Sequence, residues 1–298
     1  MQTLLLVGCG DIAQRAAPWL TRRFRVLALI RDPAQITFWR KLGCKPILGD
    51  LDDPRSLLRL RGLADRVLHL APPSPTGEKD LRTQSLLQAL GTQASMRGRS
   101  LPARFVYVST TGVYGDCEGA EIDETRPTAP STLRAKRRVQ AEQQILQWGK
   151  QNDCPVIILR APGIYAQDRL PLERIRNQTP ALAPEEDVFS NHIHADDLAM
   201  ACCRALFQGK PHQAINIVDD SALKMGDYFD AVADANHLPR PPRLARKHLE
   251  TCLSPVQLSF MSESRRIRND RMKKELGLVL RYPTVADALQ LTEPLNSP

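Results

Sequence analysis

The sequence predicts an α/β protein with a doubly wound parallel sheet and a smaller, mainly helical C-terminal part. Three observations lead to this prediction. The chain opens with a short apolar run that ends at a glycine-rich turn. Further short apolar runs follow, and segments with helical spacing of apolar residues separate them. This alternation is typical of parallel strands, because each helix carries the chain back to the end of the sheet where the next strand starts.

The first strand and the turn after it are the most informative stretch. Leu4 to Val7 form an unbroken apolar run, as expected for a strand buried on both faces of a sheet. Gly8 to Ala13 read GCGDIA and match the G-x-G-x-x-G/A pattern of a dinucleotide-binding (Rossmann) turn. Gly8 permits the tight turn, and Gly10 lets the backbone approach a pyrophosphate. A strand–turn–helix without a ligand is the alternative.

The other elements of the first half follow from the same reasoning. Pro18 lies in the helix after the turn and is expected to kink it. The remaining predicted elements are strands at Arg25–Ile30, Pro46–Leu48, Val67–Ala71 and Arg104–Val108, and a helix from about Asp80 to Met96.

Two strand ends are candidates for the adenosine half of a dinucleotide. Arg31 ends the second strand, where an arginine accommodates the 2′-phosphate of NADP and an acidic residue holds the 2′-hydroxyl of NAD. NADP is therefore favoured, while the neighbouring Asp32 keeps NAD open. After the third strand, Asp50 is expected to accept from the adenine amino group, with Leu51 against the ring.

Composition narrows the class of protein. The chain has 298 residues, of which 42% are hydrophobic and 25% charged, as in soluble globular proteins. We expect no signal peptide and no membrane span, because the start lacks a basic lead and no apolar run is long enough. The seven cysteines include no C-x-x-C pair, which favours free thiols in the cytoplasm. The net charge of +8 suits an anionic small substrate better than nucleic acid, because no recognised nucleic-acid-binding motif is present.

Later segments resemble a known family. Phe105 to Gly115 read FVYVSTTGVYG, Leu159 to Tyr165 read LRAPGIY, and His192 to Ala199 read HIHADDLA. Together with the Gly8 turn, these motifs resemble the NAD-dependent epimerase/dehydratase branch of the extended short-chain dehydrogenase/reductases. The resemblance covers nearly the whole chain. It implies a Rossmann domain over residues 1–165 and a substrate domain over 166–298, with 191–218 returning to the sheet.

The resemblance also implies the roles of several residues. Thr110 takes the position whose hydroxyl binds the substrate oxygen, and Tyr114 is the nearest phenol in the sequence, so both are candidate catalytic residues. The candidate cofactor-binding residues are Gly8, Gly10, Asp11, Ile12, Arg31, Asp50, Leu51, Ala71, Pro72, Ser109, Arg138, Pro162, Gly163 and Ile164.

One departure from the family concerns the catalytic pair Tyr-x-x-x-Lys. Residues 131–142 read STLRAKRRVQAE and contain no tyrosine. Counting back from the Ala-Glu pair puts Arg134 at the tyrosine position and Arg138 at the lysine position. Counting from Lys136 puts Thr132 at the tyrosine position. We favour the first register, because Val139, Ile145 and Leu146 then lie where the helix should face the sheet. In this register Arg138 binds cofactor but transfers no proton, since a guanidinium stays protonated near neutral pH.

The C-terminal half offers fewer signals. The segment from Arg169 to Phe189 includes Leu170, Pro171, Arg174 and Arg176, which are candidate walls for an anionic group. His192, His194 and Asp196 alternate as metal ligands might. However, the resemblance implies a structural histidine at position 194, so no metal is expected.

Two functions remain open at this point. The favoured one is an atypical NAD(P)-dependent oxidoreductase or epimerase/dehydratase with a small, sugar-nucleotide-like substrate. Its proton would come from Tyr114, a bound water or the substrate. The alternative is a non-catalytic NADP(H)-binding sensor. The sequence leaves the oligomeric state open, and a homodimer is one possibility.

Overall fold

The structure is a computed structural model, which describes residues 1–77, 79–92 and 100–290. The strands are β1 Thr3–Val7, β2 Arg25–Ile30, β3 Lys45–Leu48, β4 Arg66–His69, β5 Arg104–Thr110, β6 Glu121–Ile122, β7 Val156–Ala161, β8 Gly163–Tyr165, β9 Ala181–Leu182, β10 Phe189–Ser190, β11 His192–His194, β12 Gln213–Asn216, β13 Leu223–Lys224, β14 Arg243–Leu244 and β15 Arg266–Ile267. The helices are α1 Asp11–Leu20, α2 Ile36–Lys41, α3 Leu81–Leu90, α4 Leu133–Gln151, α5 Leu172–Arg176, α6 Ala195–Ala205, α7 Met225–Ala235, α8 Arg246–Cys252, α9 Pro255–Phe260, α10 Asp270–Glu275 and α11 Val285–Gln290.

Seven strands form one parallel sheet in the order β12-β7-β5-β4-β1-β2-β3. The predicted doubly wound fold is thereby confirmed. The chain starts in the middle at β1, runs outward to β3 and then crosses to β4 on the other side of β1. A sheet of this kind binds ligands at the carboxyl ends of the strands where the winding direction reverses. Here that point is the crevice between β1 and β4.

The sheet is covered on both faces, which explains its uninterrupted apolar strands. Leu4 and Leu6 of β1 pack with α1 and α6, whereas Leu5 and Val7 pack on the side of α3 and α4. All four leucine and valine side chains are fully buried. Burying such a side chain stabilises the fold by about 1.5–3 kcal/mol.

The predicted strands occur within one or two residues of their expected bounds, and one predicted helix differs in length. α1 continues through Pro18 to Leu20. The predicted helix to Met96 is too long, because α3 ends at Leu90 and Gly91 leaves the helix with a φ of 90°. Residues 93–96 of that predicted helix lie outside the described residues.

The C-terminal half adds helices around short strand pairs. Tyr165, Tyr228, Phe229 and Val285 form part of a separate apolar core beside the sheet. β12 pairs in parallel with β7, so the chain returns to the large sheet before α7. The seven cysteines are free thiols. Among the residues that the structure describes, no helix has both the length and the apolarity of a membrane span.

Candidate functional site

The turn after β1 lies at the crevice and leaves space above it. Gly8 has a φ of 91°, and a Cβ there would lie 2.2 Å from the backbone nitrogen of Ala71 after β4. Only glycine fits that position. A Cβ at Gly10 would meet no described atom within 4 Å. The turn therefore packs tightly against β4 on one side and is open on the other.

The start of α1 faces this open side. Gly10 is the N-cap residue, and no side chain in the described part of the chain accepts a hydrogen bond from the first amides, which include those of Asp11 and Ile12. Uncapped amides and the helix dipole together favour an anion. The residues present therefore fit the pyrophosphate of a dinucleotide.

The Asp11 carboxylate forms ion pairs with two arginines, whereas its backbone amide belongs to the uncapped start of α1. It accepts hydrogen bonds from Arg15 Nε at 2.9 Å and from Arg169 Nη1 at 2.8 Å. Arg15 also pairs with Asp168 at 2.7 Å and with Asp196 at 2.9 Å. These five side chains tie the start of α1 to the segment after β8 and to α6.

The ends of β2 and β3 lie on the other side of the turn. Arg31 and Asp32 are both exposed, but Asp32 Oδ1 accepts a hydrogen bond from the Ala34 amide at 2.9 Å and caps a 3₁₀ helix. Asp50 Oδ1 accepts from the Asp52 amide at 3.0 Å, and Leu51 is buried beside it. Arg31 therefore has the freer polar group at the end of β2.

The ends of β4 and β5 complete the crevice. Ala71 is buried and Pro72 is exposed. Ser109 is buried, and its hydroxyl oxygen has no hydrogen-bond partner among the described residues. A buried hydroxyl without a partner costs stability unless a ligand or water satisfies it.

Arg138 reaches this edge of the sheet from α4. Its Nη1 donates at 2.9 Å to both the Tyr107 hydroxyl and the Val108 carbonyl oxygen. Burial raises the pKa of Tyr107 to about 12, although Arg138 opposes the shift. Lys136, the alternative candidate on the same helix, is exposed.

A cavity of about 550 Å³ lies between the end of β5, the start of α4 and the C-terminal segments. Its lining includes four predicted site residues, namely Thr110, Pro162, Gly163 and Ile164. Later segments of the chain contribute Arg169, Pro171, Arg174, Phe189, Asn191, His192, Met225, Tyr228, Phe229, Phe260, Glu263 and Arg265. A volume of this size is typical of small-molecule sites.

Thr110 and Tyr114 lie differently with respect to this cavity. Thr110 lines it, and its Oγ1 accepts from the Gly112 amide at 3.2 Å, which leaves the hydroxyl proton free to donate. Tyr114 is outside the lining and 1% exposed. Its hydroxyl donates to Asn216 at 2.8 Å and accepts from Arg160 at 2.9 Å. Burial raises the pKa of Tyr114. We therefore do not assign proton transfer to Tyr114.

A group of buried titratable side chains closes the far wall of the cavity. The His192 ring stacks on Tyr228 with centroids 4.3 Å apart, and Tyr165 lies edge-on to both. Burial lowers the pKa of His192 to about 4, so this imidazole is neutral at neutral pH. Burial raises the pKa of the nearby Asp219 to about 7.

The alternating histidines do not form a metal site in the described residues. His194 Nδ1 accepts from the Asp196 amide at 3.2 Å and caps α6. Its ring also packs against Tyr282 at 3.8 Å between centroids.

The model of the NAD dependent epimerase/dehydratase family matches residues 14–217 of the chain. The chain belongs to this family. The human protein dTDP-D-glucose 4,6-dehydratase is 27% identical over 195 residues, which cover 61% of this chain and 56% of the human one. The chain thus spans little more than half of that relative. GDP-6-deoxy-D-mannose reductase of Pseudomonas aeruginosa is 25% identical over 245 residues, 75% of this chain and 77% of the relative.

Solved structures of similar fold cover nearly the whole chain. A functionally unknown conserved protein from Silicibacter pomeroyi has a TM-score of 0.78 and 30% identity, with 97% of both chains covered. UDP-glucuronic acid 4-epimerase from Bacillus cereus, solved with UDP-glucuronic acid and NAD, has a TM-score of 0.74 and 18% identity over 97% of this chain and 96% of the epimerase. At that identity the likeness concerns the fold alone.

Sequence reasoning missed several cavity residues. Arg265, Glu263 and Phe260 come from the segment around α9 and β15, and no local motif marks them. Of the four candidate wall residues, Pro171 and Arg174 line the cavity, whereas Leu170 and Arg176 are not among its lining residues. In the sequence, only the arginine-rich stretch between residues 240 and 274 indicated that this segment contributes to an anion-binding wall.

Proposed function

We propose that this chain is an atypical NAD(P)-dependent oxidoreductase or epimerase/dehydratase that acts on an anionic, sugar-nucleotide-like small molecule. The observation that carries the proposal is the shared cavity: Thr110 and the loop Pro162–Ile164 line a small-molecule cavity at the same strand ends as the dinucleotide turn. Two relatives, a dTDP-D-glucose 4,6-dehydratase and a GDP-6-deoxy-D-mannose reductase, support it by their activities on sugar nucleotides.

The proposed cofactor site uses the crevice between β1 and β4. A bound nicotinamide would supply or accept the hydride. The residues that would hold the cofactor are Gly8, Gly10, Asp11 and Ile12 through their amides, Asp50 and Leu51 at the adenine, and Ala71, Pro72, Ser109, Pro162, Gly163 and Ile164 toward the nicotinamide. The open space above Gly10 supports this arrangement.

We expect NADP to bind more tightly than NAD. The Asp32 carboxylate already caps the 3₁₀ helix after β2, so it is less available to a ribose hydroxyl. Arg31 is exposed at the same strand end and can bind a 2′-phosphate.

Arg138 is the residue we assign to the ribose at the lysine position. Its guanidinium already lies against the carbonyl oxygen of Val108 at the end of β5, whereas Lys136 is exposed. A guanidinium keeps its proton near neutral pH, so Arg138 binds and orients but does not transfer a proton.

Thr110 would position the substrate. Its proton is free to donate to a substrate oxygen, because its oxygen accepts from Gly112. With Tyr114 committed to Asn216 and Arg160, we infer that any proton transferred comes from water or from the substrate.

A non-catalytic NADP(H) sensor is the second candidate function. The observation that favours it is that Arg134 lines the cavity at the position on α4 where the family has its catalytic tyrosine. In this case the cavity would report cofactor binding to a partner without turnover.

One experiment separates these functions. We would titrate the purified protein with NADPH by calorimetry and then incubate it with NAD(P) and a panel of sugar nucleotides, with product analysis by NMR. The enzyme is supported if the parent binds NADPH and turns over a substrate, if Thr110→Ala lowers the turnover at least tenfold, and if Tyr114→Phe retains it. Binding without turnover favours the sensor, and absence of binding contradicts both.

A further inference from the structure

Four arginines and one glutamate line the cavity, and two of the arginines are already paired. Arg265 bonds Glu263 at 2.7 Å, and Arg169 bonds Asp11 at 2.8 Å. The other two, Arg134 and Arg174, make no ion pair with any described residue. Since His192 is neutral at neutral pH, the cavity has an excess of positive charge.

Arg134 is exposed and lies over an aromatic ring. It lies near the start of α4, and its guanidinium carbon sits 4.4 Å from the ring centroid of Phe260, which also lines the cavity. No described residue accepts a hydrogen bond from it. Stacking covers the face of a guanidinium and leaves the N–H groups at its edge free, which is the geometry that binds carboxylate or phosphate.

Arg174, which also lines the cavity, lies over an aromatic ring in the same way. Its guanidinium carbon is 4.6 Å from the ring centroid of Phe229, and Nη2 donates to the Pro180 carbonyl oxygen at 2.6 Å. Its Nε is buried and has no partner in the described chain. Burial without a counter-ion lowers the pKa of Arg174. Arg174 is half-buried, and a partly buried cation without a counter-ion is costly, so an anion from outside the chain would stabilise it.

We propose that Arg134 and Arg174 are two oxyanion subsites of this cavity, and that the ligand presents a carboxylate or phosphate to Arg134 where the family resemblance implies a proton-donating tyrosine. This inference deepens the proposed function, because it assumes that the cavity is the substrate site. This assignment changes the chemistry expected at Arg134. The ligand group that faces Arg134 is an anion that the protein binds, and it is not a carbonyl or hydroxyl that the protein protonates.

The test uses inorganic phosphate and acetate as probes on the full chain. The side-chain Nε–Hε signals of ¹⁵N-arginine are followed by NMR during titration and assigned through Arg134→Gln, Arg174→Gln and Arg176→Gln. Arg176 is the matched control, because it lies on α5 beside Arg174, is exposed and is not among the residues that line this cavity. We expect saturable shifts at Arg134 and Arg174, with apparent Kd values about tenfold or more below that of Arg176.

The two probes distinguish a phosphate-bearing ligand from a carboxylate-bearing one. Tighter phosphate binding assigns a phosphate-bearing ligand, and tighter acetate binding assigns a carboxylate. Equal responses of Arg134, Arg174 and Arg176, or no saturation at the first two, overturn the proposal. A parallel NADPH titration keeps the questions separate: Arg134→Gln should bind NADPH as the parent does, and failure of the parent to bind NADPH counts against the proposed function alone.

Discussion

Arg160 on β7 and Glu142 on α4 form a buried, two-pronged ion pair. Arg160 Nε donates to Glu142 Oε1 at 3.2 Å, and Nη2 donates to Oε2 at 2.7 Å. Both side chains are less than a tenth exposed. The pair fixes α4 against the sheet and thereby sets the position of Arg134 and Arg138 on the same helix.

Removing the charge of Glu142 should be strongly destabilising. Glu142→Gln leaves Arg160 as a buried cation without a counter-ion, and breaking a buried pair in this way costs about 3–5 kcal/mol. Urea unfolding monitored by circular dichroism measures the change. Glu250→Gln is the control, because Glu250 is exposed on α8, and it should stay within about 0.5 kcal/mol of the parent. Equal effects of both substitutions would show that the pair contributes little.

The two glycines of the dinucleotide turn should respond in opposite ways. Gly10→Val should stay folded and lose NADPH binding, because its side chain enters the open space of the pyrophosphate. Gly8→Ala should lower the melting temperature, because its Cβ collides with the Ala71 backbone. Calorimetric titration and thermal melting measure both. Undiminished NADPH binding by Gly10→Val would place the cofactor elsewhere.

Arg31 should set the preference for NADP over NAD. Arg31→Ala should lower NADPH affinity about tenfold or more and leave NADH affinity nearly unchanged, since only the 2′-phosphate loses a charged hydrogen bond. Asp32→Ala serves as the comparison and should not reverse the preference, because Asp32 caps a helix. A parent protein that binds both cofactors equally would remove the argument.

Arg138 and Lys136 test the register of α4. Arg138→Ala should weaken NADPH binding by about 1–3 kcal/mol, and Arg138→Lys should retain measurable binding through a point charge. Lys136→Ala should bind as the parent does, because Lys136 is exposed. If Lys136→Ala loses binding and Arg138→Ala does not, the other register is correct.

Asp219 should make the protein less stable as pH rises. Burial raises its pKa from 3.8 to about 7, so between these values the folded protein keeps a proton that the unfolded chain has lost. The free energy of unfolding is therefore unaffected by this group below about pH 4, and it falls by up to about 4 kcal/mol as the pH rises toward 7. Asp219→Asn keeps the acceptor for the Ser221 amide and should abolish this slope. Identical pH profiles of unfolding for both proteins would contradict the assignment.

The parts of the fold that local sequence determines could be predicted. Apolar runs such as Leu4 to Val7 predict buried strands, and the positions of Gly8 and Gly10 predict the turn. The pairing of Arg134 with Phe260, by contrast, joins segments more than a hundred residues apart, and its geometry depends on tertiary packing. For the same reason, sequence spacing identified Tyr114 as a nearby phenol but could not show that its hydroxyl faces Asn216.

The contact between Gly8 and Ala71 has a consequence for synthesis of the chain on the ribosome. The Leu70 amide donates to the Val7 carbonyl oxygen at 2.7 Å, so the turn after β1 is braced by a strand that follows about sixty residues later. Until Ala71 has left the exit tunnel, the nascent chain has the glycine motif but not the wall that shapes it. A cofactor that binds at this turn, as we propose, would therefore stabilise the folded chain only after β4 has been added to the growing sheet.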